Sequence, residues 1–364
     1  MKNSIGNNIT LTVFGESHGN SIGAVIDGLA PGIAVDTEYI SRLLTLRRPI
    51  GSISTTRKEA DEFIIESGVF EGKTTGTPIC IRIPNTDTRS GDYADTRALA
   101  RPSHADYTAS CKYHGFEDYR GGGHFSGRIT AAIVAAGGII LPALQRKGIK
   151  IGTHIKKCAG ISDRDFSKNL DFELDTLLSK PFATLCDECG EEMIKAITAA
   201  KAEGNSVGGV LETAIIGIDA GVGEPMFDTV EGLLSHALFA VPGIKGVEFG
   251  AGFSIADMRG SEANDPFYSD GGYVKTKTNN SGGINGGITN GMPIIFRVAV
   301  RPTPTLSVEQ NTVNLDTKTD AVLRSKGRHD PCIVHRARIV VDSIAALAVA
   351  DMLATRYGTD WLAK

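Results

Sequence analysis

The sequence predicts an α+β fold. Strand-period and helix-period segments are interspersed without a regular βαβ alternation, which argues against a doubly wound parallel sheet. No repeat of 20–50 residues is visible and no Pro-rich linker cuts the chain, so residues 1–364 are expected to form one interwoven domain. A hydrophobic content of 41% is enough for a substantial core and rules out wholesale disorder.

In chain order, Ile9, Leu11 and Val13 alternate with Thr10 and Thr12, the period of a half-buried strand. A second apolar stretch, Ile22–Ile26, ends at the turn pair Asp27-Gly28, and the two strands flank Gly15-Glu16-Ser17-His18-Gly19. Further strands are expected at Ile79–Ile83, Val210–Ile216 and Pro293–Val300. Arg128–Leu144 reads as a buried helix, because apolar residues occupy nearly all of its faces. Glu191–Ala202 puts Met193, Ile197 and Ala200 on one face and stops at Gly204. Ser343–Arg356 carries Ile344, Leu347, Ala348 and Met352 on one stripe, and Asp270–Gly291 is expected to be a long loop.

Charge and composition narrow the function. With 38 basic and 42 acidic residues the net charge is −4, which excludes a generally basic nucleic-acid coat but not a local cationic pocket. Glycine is in excess at 43 residues without a G-X-Y period, so it must serve turns and close backbone approaches. Met1–Gly6 leads into a polar-interrupted segment rather than a signal-peptide core. The apolar run Ala131–Leu144 is shorter than the ~20 residues of a membrane span, so no membrane partner is expected. Six cysteines without an export signal point to a reduced, cytoplasmic protein. Cys186 and Cys189 form a single C-x-x-C with no second pair to complete a zinc site. They read as incidental thiols, with a redox role as the alternative and no metal expected.

Four clusters stand apart from the core pattern. Gly15-Glu16-Ser17-His18-Gly19 presents a hydroxyl and an imidazole together, although alone it also reads as a polar hairpin turn. Arg101-Pro102-Ser103-His104-Ala105-Asp106-Tyr107 places an anion-binding guanidinium three residues before a histidine that titrates near neutrality; a surface loop is the alternative. Arg120-Gly121-Gly122-Gly123-His124-Phe125-Ser126-Gly127-Arg128 runs glycines into a helix start, a recipe for anion capture or simply a flexible turn. It is neither a Walker A loop nor G-x-G-x-x-G after a strand. Lys326-Gly327-Arg328-His329-Asp330-Pro331-Cys332 joins cations, a histidine and a carboxylate, as acid–base work on an anion or a surface ion-pair turn would require. Arg47-Arg48-Pro49 and Arg301-Pro302-Thr303-Pro304-Thr305 add further cations.

Taken in order, these clusters resemble the chorismate synthase family over about Gly6 to Ala354. The resemblance implies a lyase that converts 5-enolpyruvylshikimate 3-phosphate to chorismate by anti-1,4-elimination of phosphate and a ring hydrogen. It implies reduced FMN as cofactor, with no net redox change, and NADPH as a possible reductant. It also implies a sandwich of antiparallel sheets with helices packed outside, assembled as a homotetramer, with an external flavin reductase as a possible partner. A physical reason for the flavin is that the hydrogen lost is not adjacent to a carbonyl and lies beyond any side-chain base unaided.

By the same resemblance, His18 would hydrogen-bond the reduced flavin and His104 would protonate the departing phosphate, with Arg101 beside it. Asp330 would be the base-side partner acting through the flavin, assisted by Ser17 and Ser126. Arg47, Arg48, Arg128 and Arg328 would bind the substrate's carboxylates and phosphate. FMN contacts would come from His124, Phe125 and Ser126, from Pro242 and Gly243, from Gly286, from Arg301, Pro302, Thr303, Pro304 and Thr305, and from Arg328. An NADPH contact would fall at Arg47. Departures from the family pattern are His124-Phe125-Ser126 for Arg-Ser-Ser, Ile53 for an arginine, Arg301 for a lysine and Asp342 for a glutamate. A flavin reductase is the redox rival, disfavoured by the missing dinucleotide fingerprint, and a non-catalytic phosphometabolite-binding protein is a third reading.

Overall fold

The computed structural model describes residues 2–55, 60–86, 97–324 and 330–364. The chain opens with β1 (Ser4–Ile5), β2 (Thr10–Gly15), β3 (Ser21–Asp27), α1 (Thr37–Arg47), β4 (Ile64–Ile65), a small hairpin of β5 (Val69–Phe70) and β6 (Lys73–Thr74), and β7 (Ile79–Pro84). Then come α2 (Asp106–Tyr113), α3 (Thr130–Arg146), β8 (Lys150–Cys158), β9 (Ile161–Ser162), α4 (Leu170–Leu177), α5 (Asp187–Ala202) and β10 (Gly209–Ile216). The last part holds α6 (Val230–Phe239), β11 (Ile244–Phe249), α7 (Gly260–Ala263), and the hairpins β12 (Phe267–Asp270) with β13 (Tyr273–Thr276) and β14 (Ile284–Asn285) with β15 (Ile288–Thr289). It ends with β16 (Ile294–Val300), β17 (Gln310–Asn314), β18 (Thr319–Leu323) and α8 (Val334–Tyr357).

Two five-stranded antiparallel sheets form the frame, in orders β1-β2-β3-β7-β4 and β11-β16-β10-β8-β9. In the first, Leu11 faces Ile26 and Val13 faces Ala24 across β2 and β3, so one sheet face is apolar, as the alternation predicted. The α+β class holds, but the layer order differs from the expectation of helices packed outside. α3 packs against β3 and β7 on one side and α8 on the other, while α8 packs against β8 and β10, so the long helices lie between the sheets. The reason is in their composition. Fourteen of the 17 residues of α3 are buried, and a helix apolar on every face must be covered on every face.

Close approach inside this layer depends on a glycine pair. A Cβ at Gly137 would lie 2.4 Å from Ser343 Cβ of α8, and one at Gly138 would lie 2.8 Å from Ile40 of α1. The segment Gly127–Arg146 is long and apolar enough to cross a membrane, which the shorter run Ala131–Leu144 did not suggest, but it is buried between the sheets. Two other boundaries move. α8 begins at Val334 rather than Ser343, because His335, Arg338 and Asp342 break the apolar stripe yet are themselves buried. α5 begins at Asp187 rather than Glu191, capped by Cys186. The expected Asp270–Gly291 loop folds partly into the β12–β13 and β14–β15 hairpins.

Candidate active site

The turn between β2 and β3 carries Ser17 and His18, both buried. Ser17 Oγ donates to Arg120 O at 3.2 Å and lies 3.1 Å from His18 Nδ1. Since the hydroxyl has a single hydrogen, the second contact is served by Nδ1–H donating to Oγ. Gly121, Gly122 and Gly123 follow Arg120, each with positive φ, at 61°, 97° and 53°. A Cβ on Gly121 would sit 2.1 Å from His18 Cε1 and 2.9 Å from Ser17 Oγ, and one on Gly122 would sit 3.1 Å from His104 Cε1. The glycine run therefore seats the two imidazoles on adjacent residues. It does not lead directly into a helix end: a 3-10 turn at Gly127–Ile129, capped by Ser126 Oγ, separates it from α3.

His104 is oriented by Asp106, which sequence reasoning gave no role. His104 Nδ1 lies 2.9 Å from Asp106 Oδ1, and Arg101 donates to the same carboxylate from Nε at 2.8 Å and Nη2 at 2.6 Å. Burial alone would raise the Asp106 carboxyl, but the bonds from Arg101 and His104 outweigh it and hold the group well below the usual carboxylate range. An ionised Asp106 accepts Nδ1–H and leaves His104 Nε2 turned away from it. The H-x-D spacing was the available signal.

Several of the arginines act as braces. Arg47 is buried and donates to Thr130 Oγ1 at 3.0 Å, Gly127 O at 3.0 Å, Arg128 O at 3.3 Å and Asp61 Oδ2 at 3.2 Å. Arg128, also buried, donates to the other oxygen of Asp61 and to Asn85 Oδ1 at 3.0 Å. Asn85 in turn donates to Glu16 O and Gly19 O, fixing the turn that bears Ser17 and His18. Asp61 and Asn85 were missed because neither lies near its partners in sequence. Arg48 is half-buried, and Ile53, at the position of a family arginine, is buried in the core.

Asp330 accepts from Thr55 N at 2.9 Å and from Arg336 Nη1 at 2.5 Å, and Arg336 Nε donates to Arg47 O. Beside Asp330, Pro331 O accepts from Val207 N, and neighbouring Ser206 Oγ donates to Thr303 O at 2.7 Å. In the segment holding Thr303, Arg301 N donates to Gly243 O and Arg301 Nη1 donates to Ser103 O, next to His104. Hydrogen bonds and chain neighbours thus lead from His104 through Arg301, Thr303, Ser206, Pro331, Asp330, Arg336 and Arg47 to Gly127, and the nearness of Gly122 to Ser126 and His104, without a hydrogen bond, completes a ring. Pro302, Pro304 and Thr305 share the Arg301 segment, and exposed Pro242 precedes Gly243. His124 Nδ1 lies 2.8 Å from Gly15 O, and Phe125 stands edge-on to Tyr113. Gly286 is not brought to the ring: it is exposed at the tip of β14–β15, with nothing within 4 Å of its Cβ position. Arg328 lies outside the described residues. A separate cleft lined by Lys2, Asn7, Asp228, His236 and Asp351 contains none of the candidate residues.

Comparison with known proteins bears on the family. The chorismate synthase family model matches residues 9–354. Chorismate synthase of Pyrococcus abyssi is 45% identical over 348 residues, covering 96% of each chain. The enzyme of Dehalococcoides mccartyi strain BAV1 is 45% identical over 360 residues, covering 98% of each. A crystal structure of chorismate synthase superimposes with a TM-score of 0.76 at 29% identity, covering 97% of this chain and 94% of that one. The chain belongs to the chorismate synthase family.

Proposed function

We propose that the space inside this ring is where 5-enolpyruvylshikimate 3-phosphate loses phosphate and a ring hydrogen to give chorismate, with reduced FMN as the companion group. As a member of its family the chain is a carbon–oxygen lyase of the shikimate pathway. The observation that supports this location is the ring itself: distant segments joined by hydrogen bonds except where Gly122 packs against His104 and Ser126, with His18 and His104 on its glycine wall. Arg48 Nε and Thr303 Oγ1 are buried polar atoms without a partner among the described residues. A phosphate-bearing ligand satisfies such a donor and such a hydroxyl, so the residues present fit the group.

In this reading FMN would be held by His124–Ser126, Pro242-Gly243, Arg301–Thr305 and Arg328, without Gly286, which lies away from the ring. Bound in its reduced form, it would supply electron density to the substrate's allylic system as phosphate leaves, with no net redox change. His104, fixed through Nδ1 by Asp106, directs Nε2 at the phosphate and, as the imidazolium, passes it the Nε2 proton, returning to the neutral ring with Nδ1–H still on Asp106. Arg101 and Arg48 compensate the growing negative charge. Asp330, its oxygens held by Thr55 and Arg336, serves the base side. His18, tied to Ser17, orients the cofactor. Arg47 and Arg128 shape the wall from behind, since Asp61 and backbone carbonyls already take their donors. With Arg47 so engaged and Ile53 buried, reduced flavin from an external reductase suits the chain better than an NADPH contact there. A homotetramer belongs to the same reading, because Met226, Phe227 and Phe253 are exposed apolar side chains that other copies could cover. So does a reducing, cytoplasmic setting, in keeping with six free cysteines.

The test is anaerobic incubation with chemically reduced FMN and the phosphorylated substrate. Phosphate and chorismate should appear in equal amounts while the flavin stays reduced. Tight binding without turnover would leave a binding protein, and NAD(P)H-dependent flavin reduction without phosphate release would leave a reductase.

A further inference from the structure

Far along the chain from these segments, the C-x-x-C that looked incidental has a third neighbour. Cys186 caps α5, its sulfur accepting Cys189 N–H at 3.3 Å, and both cysteines are half-buried. Asp163, which follows β9, brings a carboxylate oxygen against them, so that both sulfurs and this oxygen lie within 4.8 Å of one another. Asp163 is buried and held from behind: His154 Nδ1 and Leu185 N contact Oδ2 at 2.9 and 2.6 Å, and Cys186 N and Arg164 N contact Oδ1 at 3.0 and 2.9 Å. On the open side, Glu188 Oε2 lies 3.3 Å from Cys186 Sγ.

From this geometry we infer that Asp163, Cys186 and Cys189 form a site for a thiophilic divalent cation of the zinc class, with Glu188 or water as the fourth ligand. Tetrahedral zinc at about 2.3 Å from sulfur and about 2.1 Å from oxygen sets its ligands roughly 3.6–3.8 Å apart, within reach of small side-chain rotations. The charge pattern favours a cation over a reactive thiol. Two carboxylates beside the sulfurs oppose a lone thiolate, whereas a divalent ion neutralises carboxylate and thiolates together. His154 supplies the outer hydrogen bond that orients a metal-bound carboxylate, and Phe166 packs edge-on against its ring. The metal replaces one of the four donors on Asp163. Binding is balanced by release of the two thiol protons, leaving a complex of one cation, two thiolates and one carboxylate. The ion clips the start of α5 to the end of β9. None of these residues has a role in the proposed reaction, so the inference is independent of it.

The test uses the full-length protein, reduced, freed of metal by a chelator and titrated anaerobically with Co2+ alone. One cobalt per chain should bind with intense sulfur-to-cobalt charge-transfer absorption that Zn2+ abolishes stoichiometrically. Cys189→Ser should weaken binding and lower the charge-transfer absorption per cobalt, and Asp163→Asn should weaken binding by at least about 10-fold. Circular dichroism separates a misfolded Asp163→Asn chain from a folded one, and Cys189→Ser decides the matter if that chain fails to fold. Absence of the band in the parent protein overturns the site, as does a band of unchanged intensity and cobalt affinity in Cys189→Ser. A Cys186–Cys189 disulfide that forms in air, with no cobalt binding in the reduced state, also overturns it in favour of a redox pair.

Discussion

Asp106 does for His104 what the histidine cannot do alone: it fixes one ring nitrogen and so aims the other. Arg101, bonded to the same carboxylate, keeps Asp106 ionised and available as an acceptor. His104→Ala should lower turnover by about 10²–10⁴-fold, the usual contribution of a positioned proton donor. Asp106→Asn should lower kcat by a smaller factor and leave FMN affinity unchanged, since it releases the ring without removing it. Steady-state kinetics with reduced FMN, alongside flavin titration, checks both, and a parental kcat in His104→Ala would remove its assigned role. The histidines and glycines of this site were legible because each sits in a short motif with its own chemistry. Asp106 was half-legible, two positions from its partner. Asp61 and Asn85 were not, because what defines them is contact with residues 14 to 69 positions away.

α8 shows how an element can be hidden by its own polar residues. Its interior apolar stripe announced the segment from Ser343 onward, whereas the first turns carry His335, Arg336, Arg338 and Asp342 and read as surface. Three of those four are buried, and pattern reasoning treats a buried charge as an exposed one. His335 has a measurable consequence. Its Nε2 lies 2.8 Å from Ser54 Oγ, its ring stacks on Phe182, and burial, reinforced by Arg336 and Arg338, pushes its pKa down to about 3. The native state thus holds His335 neutral while the unfolded chain protonates near pH ~6.5. Its contribution to stability is complete above that value and is lost as pH falls toward the folded pKa, by up to about 1.4 kcal/mol per pH unit. Urea midpoints measured against pH for the parent and His335→Gln should converge on acidification. A gap that stays constant across the range would show that His335 does not carry this linkage.

At the scale of the whole molecule, the layered frame was only partly legible. Strand alternation gave the sheets, and the all-apolar α3 gave a buried helix, but no local pattern states that the helical layer lies between the sheets. That arrangement is what lets α1, α3 and the β2–β3 turn meet at one buried carboxylate. Asp61 has a positive φ of 51° and pairs with Arg47 from the end of α1 and Arg128 from the turn before α3. Through Arg128 and Asn85 the network reaches the turn that carries Ser17 and His18. Both guanidinium groups are almost fully removed from water and both pair with Asp61, so loss of this acid's charge bears on two buried cations at once. Removing one partner of a buried ion pair costs about 3–5 kcal/mol, far more than the pair itself contributes over an apolar substitute. Asp61→Asn keeps shape and hydrogen-bonding capacity but deletes the charge, so it should lower unfolding free energy by an amount in that range and reduce lyase turnover with it. Asp61→Asn combined with Arg47→Met should recover part of the stability, because one uncompensated cation is then gone. Equilibrium denaturation of the two variants distinguishes the cases: a single variant as stable as the parent, or a double variant less stable than the single, would show that Asp61 is not the counter-charge on which this junction depends.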